Sequence, residues 1–217
     1  MTEPEEPASS PERLVLFTDA VAAIAITLLV LPLLETLADI DEGVTLPELL
    51  RENLPGLAAF LLGFAVIFRF WWGHHRVFGH VSRLRPTVVY LSGLWTLAIV
   101  MLPIQTALIT HFEASSGTVA LYCGNLVLAS GSLAVLSIYV YRHPELSAGR
   151  TPLPREEVIS TLAVVVALLL ALVIGSLFPR VNFWALFLMF LTGPAHRLFR
   201  TRWRGKQPVA APTRPAA

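Results

Sequence analysis

Residues 13–31 read RLVLFTDAVAAIAITLLVL. Most of this stretch suits hydrocarbon, and about 20 apolar residues are enough to cross a bilayer as a helix. Yet Arg13 opens it, Asp19 follows two turns in, and Thr27 lies past its middle. A simple anchor needs none of the three. A carboxylate at the centre of a membrane helix costs about 2.5–3.5 kcal/mol on insertion scales. Asp19 is nearer the end, about 9 Å along the axis from Arg13, where the cost is lower and the helix dipole favours an anion. It must still face protein and find a donor.

A helix turns 100° per residue, so Ile24, Thr27, Leu28 and Leu31 share one face; Asp19 and Ala20 begin the same broad side, and Ala23 also lies on it. Taken alone, an aliphatic stripe in a membrane helix packs or meets lipid. The Thr27 hydroxyl is expected to rest on the carbonyl of Ala23.

The rest of the chain agrees with a membrane reading. Of its 217 residues 55% are hydrophobic and 14% charged, against about 25% charged in soluble domains. There is too little polar surface to cover a water-soluble globule of this size. The expected class is all-α and polytopic, because the apolar runs are too long for strands and lack their two-residue alternation. Six stretches qualify as spans: 14–34, 54–72, 87–109, 118–141, 158–178 and 182–199. The organisation expected is a disordered tail over 1–12, a six-helix membrane domain over 13–204 and a second disordered tail over 205–217. The first twelve residues, MTEPEEPASSPE, lack the basic start of a secretory signal. A net charge of +1 gives no reason to expect a nucleic-acid partner. The lone Cys123 excludes an internal disulfide and a thiolate metal site, and no cofactor is called for.

Basic residues set the expected orientation. With both termini cytoplasmic, the inner segments hold Arg13, Arg76, Arg83, Arg85, Arg142, Arg150 and Arg155. The C-terminal flank adds Arg197, Arg200, Arg202, Arg204, Lys206 and Arg214, while the outer segments hold only Arg51 and Arg180. The first outer loop is acidic, with Glu35, Asp39, Asp41, Glu42, Glu48 and Glu52. It reads either as a solvated loop or as a negative vestibule that concentrates cations at a pore mouth.

At the inner end of the second span, Arg69, Trp71, Trp72, His74, His75 and Arg76 reach roughly the depth of Asp19. Neighbouring histidines point 100° apart, so one metal rarely takes both. Interfacial anchoring and a hydrogen-bonded knot around Asp19 are the two readings left, and each indole N–H can donate there.

These residues carry a resemblance. R-x3-F-T-D-A-V-x-A-I-A-I-T-L-L-V-L, from Arg13 to Leu31, resembles the first-helix signature of the transmembrane protein 175 family, the lysosomal potassium channel and its bacterial relatives. The hallmark Phe-Ser-Asp is here Phe17-Thr18-Asp19, which keeps the hydroxyl. W-x-x-H-H at Trp71, His74 and His75 resembles the helix-two pattern, and LPIQTALI, Leu102 to Ile109, the end of helix three. The resemblance implies a cell-membrane channel selective for potassium over sodium, built as a homotetramer because the chain holds one copy of the motif. Helix one then lines the pore, with Ile24 as the narrowest ring, apolar layers at Leu28 and Leu31, and Thr27 as the selectivity layer. Arg13, Phe17, Thr18 and Asp19, with Trp71, His74 and His75, would clasp the helices together. Arg69 joins that group by depth, not by motif.

No TVGYG-like run is present, so a carbonyl filter is absent and selection must come from an apolar constriction. Potassium sheds water more readily than sodium and would lose less there. The alternatives are a proton-permeable channel, with His and Asp near an inner mouth as relays, and a secondary transporter, which would want broken helices at mid-membrane. An enzyme would need converging reactive groups; Ser92, Ser130, Ser132 and Ser137 show no His partner at their depth.

Overall fold

The computed structural model describes residues 10–38, 44–111 and 115–177. It is all-helical over those residues: α1 (Pro11–Leu28), α2 (Leu31–Ala38), α3 (Leu46–Glu52), α4 (Leu54–Phe78), α5 (Pro86–His111), α6 (Ser116–Arg142), a 3-10 turn (Pro144–Ser147) and α7 (Arg155–Leu177). Five segments are long and apolar enough to cross a bilayer: Pro11–Glu35, Leu54–Phe78, Pro86–Ile109, Gly117–Arg142 and Arg155–Leu177. They match the first five expected spans. The sixth expected span, residues 1–9 of the first expected tail and the whole of the second lie outside the described residues.

Two boundaries differ from the sequence reading. The first span is not one helix over 14–34. It passes through a turn at Leu29 and Val30, where the Leu29 and Val30 N–H groups donate to Ile26 O (3.3 Å) and Thr27 O (3.2 Å), and α2 resumes at Leu31. Pro32 explains the interruption: it has no N–H for the carbonyl of Leu28, and its ring crowds that carbonyl. Leu31 therefore opens α2 and is not on α1. The second span is longer than expected, because Gly73 to Phe78 continue the helix.

The first outer loop also carries structure. Glu35 stands on α2, and Glu48 and Glu52 on α3. Glu48 accepts from the Thr45 N–H (3.0 Å) and hydroxyl (2.7 Å), a start signal for α3 that holds its carboxyl below the ordinary value. Asp39, Asp41 and Glu42 lie outside the described residues.

α6 forms the middle of the bundle, packed between α5 and α7; α1 lies at the other edge, against α4 and α5. Small side chains allow the close approach that membrane helices need. On α6, Ala129, Ser130, Ser132, Ala134 and Ser137 are all buried, and the Ser137 and Thr161 hydroxyls meet at 2.8 Å between α6 and α7. α5 runs on through Pro103. Beside the carbonyl that this proline cannot bond, Asn125 Nδ2 donates to Ala98 O at 2.9 Å.

The start of α1 and the ends joining α4 to α5 and α6 to α7 meet at one end of the bundle. Leu146 O accepts from the Ser82 N–H (2.7 Å) and Arg83 N–H (3.2 Å). Arg150 donates to Val81 O (2.8 Å), Phe78 O (3.3 Å) and Glu12 Oε1 (2.8 Å), which ties α1 to both loops. Arg85 pairs with Glu145 at 3.1 Å, and Arg76 with Glu157. Arg76, Arg85 and Arg150, all assigned to inner segments, thus lie at one end of the bundle.

Glycine packing gives a direct test. A Cβ on Gly175 would lie 2.9 Å from Val119 Cγ1, whereas one on Gly131 meets nothing within 4 Å. G175A is expected to lose about 1–3 kcal/mol of stability through overpacking. G131A should be neutral or slightly stabilising, as helix propensity predicts. Thermal unfolding of the two variants in detergent compares them.

Candidate functional site

α1 has two unlike faces. Thr18, Ala22, Ala25 and Leu29, spaced by four, three and four residues, are buried against the bundle. The small alanines let α1 approach α4 and α5 closely; Gly63 of α4 faces the Leu29 methyl groups at 3.1–3.2 Å from its would-be Cβ. The opposite face is uncovered. Ile24 is 57% exposed, Leu28 41% and Leu31 48%, and Ala20, Ala23 and Thr27 are also exposed. Leu31, although on α2, still follows the same side. The Thr27 hydroxyl donates to Ile24 O at 2.8 Å and not to Ala23 O as expected. A threonine on a helix can bond either the i−3 or the i−4 carbonyl, and sequence alone does not decide between them.

Asp19, expected on the broad side of that stripe, turns toward α4 instead, because its place at the flank of the helix lets the carboxylate reach a donor there. Trp71 Nε1 donates to Asp19 Oδ1 at 2.8 Å, across 52 residues of sequence. A hydrogen bond to a charged group contributes about 1.5–3 kcal/mol. The indole is held in place by neighbours one turn away: Phe68 at 5.4 Å and His75 at 5.6 Å between ring centres, with Trp72 at 6.0 Å. Thr18, next to Asp19, is buried and spends its hydroxyl on Val15 O at 2.9 Å. Arg13 and Phe17 stand exposed on the first turns of α1.

The structure divides the other expected clasp residues. His74 is wholly buried, stacked between Phe78 (4.4 Å) and Trp95 (4.2 Å), and neither ring nitrogen has a hydrogen-bond partner. It joins α4 to α5 by ring packing. His75 is exposed and packs on Trp71 and Trp72. Arg69 lies in a cleft with Arg76 and Glu157, between α4, α6 and α7. Helix geometry carries the reason. Arg69 is two residues from Trp71, hence about 200° around α4, so a side chain at the right depth faces away from Asp19. Glu157, the partner of Arg76, was missed; its position in the first turn of a helix starting at the same end was the available signal. Glu35 is exposed at the far end of the first span.

The fold thus defines a polytopic, all-α membrane protein whose first helix is clasped on one side and bare on the other. Residues 13–103 match the family profile described as Endosomal/lysosomal potassium channel TMEM175. A potassium channel of Chamaesiphon minutus is 38% identical over 104 residues, covering 48% of this chain and 51% of that protein. An endosomal/lysosomal proton channel TMEM175 of Danio rerio is 26% identical over 137 residues, covering 62% of this chain and 26% of that protein. The chain spans about half the length of the first of these relatives and about a quarter of the second. The crystal structure of a lysosomal potassium-selective channel TMEM175 homolog from Chamaesiphon minutus shares the fold. Its TM-score is 0.64 at 24% identity, covering 87% of this chain and 97% of that one. Over residues 13–103 the chain is similar to the TMEM175 family, and its fold is that of a TMEM175 homolog.

The clasp can be tested by what each substitution leaves behind. Trp71→Phe keeps the ring but strands the carboxylate, and is expected to cost about 1–3 kcal/mol. Asp19→Ala should cost a similar amount. Asp19→Asn keeps an acceptor oxygen and should stay closer to wild type. Thermal unfolding of the detergent-solubilised protein ranks the three.

Proposed function

We propose that this protein is a cation channel that passes potassium in preference to sodium, and that four copies enclose the pore. One observation carries the reading: the face of α1 bearing Ile24, Thr27, Leu28 and Leu31 is left uncovered by the chain's own helices, while the opposite face is packed. α1 stands at the edge of the bundle, so one subunit cannot surround a central path with it. Several copies placing that edge around one axis can. The match to the TMEM175 family over residues 13–103 includes this helix.

In this reading Ile24 forms the narrowest ring, with Leu28 and Leu31 as further apolar layers. A dry aliphatic ring passes an ion only after its hydration shell is thinned, and it closes by dewetting. Thr27 adds a polar layer on that wall. The Asp19–Trp71 bond fixes the rotation of α1, which decides whether Ile24 or its neighbours face the axis. Arg13, Phe17 and Thr18 complete the first-helix motif, and His74 and His75 brace α4 through ring contacts. Glu35, with Asp39, Asp41 and Glu42, would give the outer mouth negative charge. The end rich in arginine faces the cytoplasm of a cell membrane by the distribution of basic residues, with both termini on that side.

Proton permeation is a second reading, favoured by the name of the Danio rerio relative, a proton channel. Proteoliposomes loaded with potassium, sodium or a proton gradient separate the two. Wild type is expected to conduct potassium above sodium. Ile24→Asn should wet the ring and raise potassium flux; removing about 1.4 kcal/mol of barrier gives about tenfold. Unchanged flux in that variant would place the constriction elsewhere, and proton flux without potassium flux would favour the second reading.

A further inference from the structure

Arg69 is a charge that neither the clasp nor the pore face explains. It lies within the α4 span, nine residues before its last residue Phe78, or about 13 Å along the axis. It is partly buried, and among the described residues its guanidinium makes no hydrogen bond or ion pair. A cation inside a membrane segment is expensive unless it reaches a partner or the interface.

Its conformation shows where it reaches. Helical side chains lean toward the N-terminus of their helix. The Arg69 side chain runs the other way: its Nη1 is 3.5 Å from where a Cβ on Gly73 would be, one turn closer to the end of α4 that bears the basic loops. Gly73 leaves the room that this path needs. The guanidinium snorkels into the cleft between α4, α6 and α7, lined by Arg76, Glu157, Ser130 and Ser160 among others.

The cleft has surplus positive charge. Glu157 is buried and engaged with Arg76, so two arginines share one carboxylate. Glu12 and Glu145, at the same end, pair with Arg150 and Arg85, and Glu156, exposed in the first turn of α7, is not among the residues that line the cleft. No Asp or Glu occurs between residue 158 and residue 217, where every charged side chain is basic. The enclosed part of the cleft, about 20 Å³, holds roughly one water, so a larger anionic group must sit at its mouth. An arginine fork matches phosphate oxygens. A side chain that snorkels from within a span carries its charge toward headgroup depth, where the phosphates of anionic lipids lie.

We propose that this cleft binds the phosphate of an anionic phospholipid headgroup, with Arg69 as its main ligand and Arg76 and Ser160 beside it. A net negative lipid cancels the surplus charge, whereas a zwitterionic one brings its own cation. The test uses the full chain in detergent, following thermal unfolding while phosphatidylglycerol, phosphatidylcholine or inorganic phosphate is added. Phosphatidylglycerol alone is expected to raise Tm. R69Q should weaken its apparent affinity about tenfold, and R69K should retain part of it. S160L, which enlarges a half-buried lining side chain without changing charge, should act like R69Q and serves if R69Q does not fold. The triple variant R200Q, R202Q and R204Q should keep the saturable shift. An equal shift in R69Q and S160L, loss of the shift in the triple variant alone, or an equal response to phosphatidylcholine overturns the proposal. An equal response to inorganic phosphate assigns the cleft to a free anion and also overturns it.

Discussion

A bilayer offers no water to a polar group, so each one must be bonded within the protein or carried to the interface. That constraint organises this structure. Asp19 is placed one turn into the apolar part of α1 and is met by the Trp71 indole at 2.8 Å. The bond is worth more than its energy, because it sets the rotation of a helix whose buried side is otherwise small and featureless. Alanines at positions 22 and 25 would let α1 slide or turn. A single directional bond at one end removes that freedom.

The two faces of α1 follow from this. With Asp19 turned inward, Ile24, Thr27, Leu28 and Leu31 turn outward, away from the bundle. The same rotation that satisfies a carboxylate therefore presents the aliphatic stripe. Pro32 interrupts the helix within the stripe, between Leu28 and Leu31, so the direction taken by α2 is separated from that of α1. The polar apparatus of the basic end works in the same sense. Arg150 reaches α1 through Glu12 and the α4 end through two carbonyls, which anchors the start of α1 to the loops on either side.

Buried polar groups elsewhere are treated differently. Ser132 and Ser137 bond carbonyls of their own helix, and Ser137 also meets Thr161 across the α6–α7 contact. His74 is enclosed by aromatic rings without any hydrogen bond to its nitrogens. Its place in the molecule is that of a flat packing element between α4 and α5.

Some of this was legible in the residues. Hydropathy and span length determined five helices and their alternation, because lipid sorts sequences by apolar run length. Helical periodicity placed Ile24, Thr27, Leu28 and Leu31 together, and the cost of a membrane carboxylate required Asp19 to find a donor on a neighbouring helix. Depth and the W-x-x-H-H pattern brought Trp71, His74 and His75 forward as candidates, and depth alone brought Arg69. Only the tertiary structure chose among them. Partner choice depends on how α4 is rotated about its axis and on which helix lies beside each face, and neither is written in a linear run of apolar residues. The structure gave Asp19 to Trp71, enclosed His74 in rings, and turned Arg69 to a cleft on the other side, because residues at one depth on a helix still point in different directions.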